Sequence, residues 1–262
     1  MASKIILSGR LFEKNYKENI PFRRFAEVAS KIGYDGVELR TSQVSIDTEK
    51  SRIAEYSRIL SDKGLIVGCM EARGYPILEN TDVLKRFLDL VKAFNCPLIK
   101  TGGDPGKIRK CAEIASGYGI RAGTNNHVNT PAATIKKTLA LLQEVNSSNF
   151  GVLYDPCHLF ISGSGYGIES MRKLNDRIFC VLVQYIVETE KSEGAFEFDG
   201  RYYSQEAIDT PGGPDFNTVF SGLKKIGYNG YVSVITPALK GLEPEFIAGL
   251  FYKKIREKTE GL

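Results

Sequence analysis

The chain has 262 residues, of which 42% are hydrophobic and 25% charged, enough to build one sizeable core of the ~250-residue kind that α/β barrels occupy. Its net charge of +4 is spread along the chain rather than blocked, which argues against a nucleic-acid partner. No apolar run approaches the ~18 residues of a membrane span, and the opening Met-Ala-Ser-Lys-Ile-Ile-Leu-Ser-Gly is too short in its apolar run for a signal peptide.

Taken in chain order, short β-like apolar runs alternate with helical periods. Strands are expected near 4–7, 36–39, 66–70, 98–101, 120–124, 151–154, 178–183 and 231–235. Helices are expected near 21–32, 49–63, 81–94, 105–118, 131–145, 167–174, 214–226 and 244–258, several opening on proline, whose missing N–H costs nothing in a first turn. An internal echo supports the division: Gly33-Tyr-Asp-Gly36 and Gly227-Tyr-Asn-Gly230 each end a helix and enter a strand. Eight such units imply an α/β fold, a single (β/α)8 TIM barrel forming one domain over 1–262. An open doubly wound sheet would carry a glycine-rich phosphate loop after its first strand, and Ser8-Gly-Arg-Leu-Phe12 is not one. One connection, about 186–213, is oversized. Its Asp199-Gly200 pair is a two-residue turn signal, so a hairpin arm is expected after strand seven.

Both histidines fall near strand ends, His127 after Asn125-Asn126 and His158 after Asp155-Pro-Cys157. The C-terminal edge of a parallel barrel is where ligands bind, so Asn125, His127, Asp155 and His158 form the candidate site. His127, Asp155 and His158 are candidate acids and bases, each also readable as a hydrogen-bonded loop or turn residue. Glu71, ending strand three, is a further candidate carboxylate, or a structural partner of Arg73 or Arg40. Arg40 and Lys100, just past their strands, suit a phosphate or carboxylate. The loop Thr101-Gly-Gly-Asp-Pro-Gly106 offers backbone N–H groups to an anion but also reads as an ordinary tight turn. The five cysteines are scattered and odd in number, which reads as reduced thiols in a cytoplasmic protein, Cys157 included.

The order of Gly33-Tyr-Asp-Gly-Val-Glu-Leu39, Asn126-His127, Asn149-Phe-Gly-Val-Leu-Tyr-Asp-Pro-Cys-His158, Asp176-Arg-Ile178 and Gly227-Tyr-Asn-Gly-Tyr-Val-Ser-Val234 resembles the xylose isomerase-like TIM barrels. That superfamily holds sugar phosphate isomerases and epimerases, inosose isomerases and dehydratases, and endonuclease IV. The resemblance implies a divalent metal held by a Glu, an Asp, a His and a Glu at the ends of strands five to eight. It also implies that the two Glu exchange a proton at a substrate carbon. Matched residue by residue, those positions are Asn125, Asp155, Leu182 (with Gln184 next on the same face) and Ile235. Only Asp155 is kept. No metal is therefore expected, the alternative being a divalent ion held weakly through Asp155. Two histidines are too few for the trinuclear zinc of an endonuclease.

The resemblance implies a sugar phosphate isomerase/epimerase-like protein acting on or binding a small sugar, polyol or hydroxy-carbonyl compound, with Asn125, Gln184, Arg40 and Lys100 binding it. The alternative is a non-catalytic sugar-binding or scaffold subunit. The expected partner is a small sugar or sugar phosphate, with no nucleic acid or membrane, and a homo-oligomer remains open.

Overall fold

In a computed structural model, which describes residues 3–15 and 17–260, eight parallel strands close into a barrel. They are β1 (Lys4–Ser8), β2 (Gly36–Leu39), β3 (Ile66–Glu71), β4 (Leu98–Lys100), β5 (Arg121–Asn125), β6 (Phe150–Tyr154), β7 (Ile178–Val183) and β8 (Tyr231–Val234). The seam pairs β1 with β8 in the register Lys4↔Tyr231 to Leu7↔Val234. Closure leaves no exposed barrel edge, and both faces of each strand are covered, so β6 and β7 are buried at every position.

Strand alternation turns every second side chain to the barrel interior. A register shift between β6 and β7 lets the neighbours Phe179 and Cys180 both join one apolar cluster with Ile6, Cys69, Leu98, Leu153, Leu182 and Ile235. Strand residues of the other parity pack outward against the helices in a second, larger cluster. These helices are α1 (Phe22–Ile32), α2 (Lys50–Asp62), α3 (Thr81–Ala93), α4 (Pro105–Gly117) and α5 (Ile135–Val145). They continue as α6 (Pro156–Ile161), α7 (Ile168–Leu174), α8 (Phe216–Lys225) and α9 (Pro244–Glu260). None of them is long and apolar enough to cross a membrane.

The repeated strand entries have a steric cause. Gly33 ends α1 with φ +104°, and a Cβ on Gly36 would lie 2.3 Å from the Ile66 carbonyl oxygen. Between them Asp35 accepts the Ile5 N–H at 2.7 Å, tying the turn to β1.

Two helix starts lie later than the sequence suggests. The expected helix at 131 begins at Ile135, because Thr134 is in extended backbone and its hydroxyl accepts from the Lys137 N–H. The expected helix at 214 begins at Phe216, capped by Asp215. The short helix α6 and a 3-10 turn at Gly9–Phe12 have no counterpart in the expected pattern, since neither is long enough to show a helical period.

After β7 the arm forms a three-stranded antiparallel sheet in which Arg201–Gln205 lies between Ile186–Thr189 and Phe196–Phe198. Asp199 and Gly200 both take positive φ, 50° and 74°, as a tight two-residue hairpin turn requires. The register Ile186↔Gln205 returns the arm to the barrel mouth.

Candidate functional site

The side chains pointing up from the C-terminal strand ends form two connected groups. The first centres on Arg40, just past β2. Its Nε lies 2.9 Å from Glu13 and its Nη1 2.5 Å from Glu71, and Glu38 stands 4.0 Å away. Lys100 and Arg73 each approach the other Glu71 oxygen at 3.5 Å. Burial alone would raise the Glu71 pKa, but Lys100, Arg40 and Arg73 overcome it and hold the carboxyl below its usual range. Burial would likewise lower the Arg40 pKa, and Glu71, Glu38 and Glu13 raise it instead. Glu71 thus sits among its cations, beside the partners the sequence offered as its structural role.

The second group runs from Arg10, in the turn after β1, to the histidines. Arg10 Nη1 donates to Gln184 Oε1 at 3.0 Å and to the Ile235 carbonyl at 3.1 Å. Gln205, carried by the arm, donates to the same Gln184 oxygen at 3.0 Å. With its oxygen so occupied, Gln184 turns its amide nitrogen to Asp155 Oδ2 at 2.9 Å. The other Asp155 oxygen accepts the His158 N–H at 3.2 Å, capping α6. Cys157 is buried and donates to the Gln184 carbonyl at 3.0 Å, a packed thiol whose pKa burial raises well above normal. All five cysteines are free and buried.

Above Asp155 the two imidazoles meet. His158 Nε2 lies 3.9 Å from Asp155 Oδ2, and its ring centroid is 3.8 Å from that of His127. His158 is buried, and burial, reinforced by His127, Arg10 and Lys100, pushes its pKa down to about 2. Asp155 is fully buried, and that burial pushes its carboxyl up to about 6 despite the hydrogen bonds it accepts. His127 is exposed, and its pKa is lowered by desolvation and by Lys100, Arg10 and Arg73, against the pull of the Val128 carbonyl. That carbonyl lies 2.7 Å from His127 Nδ1. A carbonyl only accepts, so Nδ1 carries the proton and Nε2 keeps the lone pair.

Beside the first group, a cavity of about 500 Å³ opens between the ends of β3, β4 and β5, bordered by Glu71, Arg73, Lys100, Thr101, Asn125 and Thr130. That volume suits a small metabolite. A larger groove, about 990 Å³, runs between α2 and α3 on the outer wall and lies away from these polar groups.

The structure therefore brings His127, Asp155, His158 and Gln184 into one chain, joins Glu71, Arg40 and Lys100 into another, and sets Asn125 at the cavity edge. Leu182 and Ile235 belong to the apolar barrel interior. Arg10, Glu13, Glu38 and Gln205 were not singled out by sequence. Arg10 had the same signal as Arg40 and Lys100, a cation just past a strand, in a loop set aside for lacking a glycine-rich phosphate pattern.

Among solved structures, the probable 3-DHS dehydratase AsbF of Bacillus anthracis is 16% identical, with TM-score 0.75 over 97% of this chain and 98% of its own. A D-allulose 3-epimerase from Methylomonas sp. is 16% identical, with TM-score 0.72 over 98% and 100%. A xylose isomerase-like TIM barrel protein from Mycobacterium smegmatis, solved in complex with magnesium, is 14% identical, with TM-score 0.73 over 100% and 99%. At such identities the likeness is one of fold. No curated protein matches the sequence. A family model described as xylose isomerase-like TIM barrel matches residues 26–250, and the chain belongs to that family.

Proposed function

We propose that this chain binds a small sugar, polyol or hydroxy-carbonyl compound at the barrel mouth and moves a proton on it with His127, without the divalent metal of the family. The observation that carries this reading is the imidazole pair. An exposed, neutral His127 with its tautomer fixed by the Val128 carbonyl rests on a buried, neutral His158. A neutral imidazole with a free Nε2 can take a proton from a carbon next to a carbonyl. Arg10 and Lys100, whose charges both depress the histidines, would favour the enediolate that forms. Asp155 and Gln184 act below, as positioning residues.

The metal is set aside on donor chemistry. Of the four matched positions, Leu182 and Ile235 have no lone pair and pack in the apolar interior. Asp155 already accepts hydrogen bonds on both oxygens, and Arg10 presents a fixed cation to the same Gln184. Among the described residues no group of three or more His, Cys, Asp and Glu is placed to hold an ion. These residues do not fit a tightly held divalent cation.

Proton NMR in D2O tests the reading, with D-fructose, an inosose and hydroxypyruvate as candidates. Enzyme-dependent loss of the proton next to the carbonyl, reduced about 100-fold or more in His127→Ala, is the expected result. No exchange with any of them in chelator-treated protein, but exchange on adding manganese, would overturn it.

A non-catalytic binder is the second reading. It is favoured by Asp155, the one family carboxylate kept, being engaged as a helix cap. Thermal stabilisation by a sugar with no proton exchange would select it.

A further inference from the structure

Arg10 differs from the other cations of the mouth. Arg40, Arg73 and Lys100 each lie within 4.0 Å of a carboxylate. Among the described residues Arg10 has none, and its two side-chain hydrogen bonds, both from Nη1, go to neutral oxygens of Gln184 and Ile235. Its Nε and Nη2 hydrogens are uncommitted there. The guanidinium is half-buried. A cation withdrawn from water without a paired anion is costly, and the carboxylates whose charge reaches it, Asp155 and Glu71, act from beyond 4.0 Å. Both histidines are held neutral, and Asp155 is spent on Gln184 and the His158 N–H.

We propose that the Nε–Nη2 edge of Arg10 binds the carboxylate of a small polyhydroxy acid, whose hydroxyl groups extend toward His127 and the β3–β5 cavity. This rests on the reading of the mouth as a small-molecule site and names the class of compound it takes. Two parallel N–H donors match the two oxygens of a carboxylate. One guanidinium also balances one negative charge. A phosphate dianion would want a second free cation or a cluster of free backbone N–H groups. Lys100 and Arg73 are occupied by Glu71, and the start of α4 behind Gly102-Gly103 is capped by its own Asp104, which accepts the Lys107 N–H at 3.1 Å. That carboxylate would repel a phosphate from this helix start.

Gluconate, sorbitol and sorbitol 6-phosphate share one carbon skeleton and separate the three cases. Calorimetric titration of the wild-type protein and Arg10→Met should show gluconate bound about 10- to 100-fold more tightly than sorbitol by the wild type, and the difference erased in the variant. Arg10→Lys keeps the charge and loses the fork, so a reduced preference for gluconate is expected there. It also serves as the test if Arg10→Met does not fold. Sorbitol bound as tightly as gluconate, with no effect of either substitution, overturns the carboxylate site while leaving the mouth a sugar site. Sorbitol 6-phosphate bound more tightly than gluconate, and dependent on Arg10, overturns the choice of carboxylate over phosphate. No binding of any of the three overturns the reading of the mouth as a polyol site and this inference with it.

Discussion

The rings of His127 and His158 lie 3.8 Å apart between centroids and 34° from parallel, with the Asp155 carboxylate 3.9 Å beyond His158 Nε2. The arrangement looks like a proton relay, yet burial works on its two inner members in opposite directions. It holds the His158 imidazole uncharged and the Asp155 carboxyl partly protonated near neutral pH. Both shifts avoid a charge in an apolar setting.

A stability test follows, with opposite signs for the two groups. His158 is lowered from 6.5 to about 2, so between those values the unfolded chain takes up a proton that the folded chain refuses. Acidification through that window lowers stability by up to ~1.4 kcal/mol per pH unit. Asp155 is raised from 3.8 to about 6, so between those values the folded form holds the proton and acidification raises stability. The two contributions oppose each other between about pH 6 and 4. Relative to wild type, His158→Gln should gain stability, and Asp155→Asn lose it, as pH falls from 6 to 4. Urea denaturation at four pH values measures both slopes, and identical slopes in all three proteins would remove this account.

The barrel was legible because its signals are local and repeated. The Gly33-Tyr-Asp-Gly36 turn, the alternation of short apolar runs with helical periods, and the Asp199-Gly200 hairpin each mark one backbone event. The mouth was legible to the extent that a strand end can be counted, which brought out Asn125, Asp155, Arg40, Lys100 and Glu71. What stayed hidden depends on pairing across the barrel. Glu38 looked like one more strand residue in the entry to β2. It is buried in the interior, accepting Ser8 Oγ from β1 at 2.9 Å and Ser233 Oγ from β8 at 2.6 Å, so it ties together the strands at the closing seam. Gln205 lies 21 residues beyond Gln184, and only the arm's antiparallel register makes them partners.

The Arg40 cluster should show strong coupling in a double-mutant cycle. Arg40→Met leaves Glu13 and Glu71 facing each other without their shared guanidinium, in a site where all three side chains are nearly buried. Breaking a buried pair from one side costs about 3–5 kcal/mol. Glu71→Gln alone should cost less, because Lys100 and Arg73 remain with water available to Arg73. Once Glu71 is neutral, removing Arg40 abandons two carboxylates, Glu13 and Glu38, rather than three, so the double variant should be more stable than the two single losses added together. A coupling of at least ~1 kcal/mol in denaturant unfolding is expected. Simple additivity would mean that Glu71 and Arg40 do not act as a pair.

The final prediction concerns restoring the family's metal. Asn125→Glu, Leu182→His and Ile235→Glu would put a carboxylate, an imidazole and a second carboxylate back around Asp155, a donor set that suits manganese or zinc. That set alone should give only weak affinity. Arg10 would remain beside Gln184 and the carbonyl of residue 235, a fixed positive charge at the site the ion needs, and Asp155 would still be bonded to Gln184. Adding Arg10→Met to the triple variant removes the repulsion and should raise manganese affinity at least 10-fold by calorimetric titration. The triple substitution also introduces charge into the interior packed around Leu182 and Ile235, so the quadruple variant without metal should unfold earlier than wild type and be restored by manganese. A wild-type protein that binds one manganese tightly before any substitution would show that the matched positions are not the ligands. Equal affinity with and without Arg10 would show that its guanidinium does not oppose the metal.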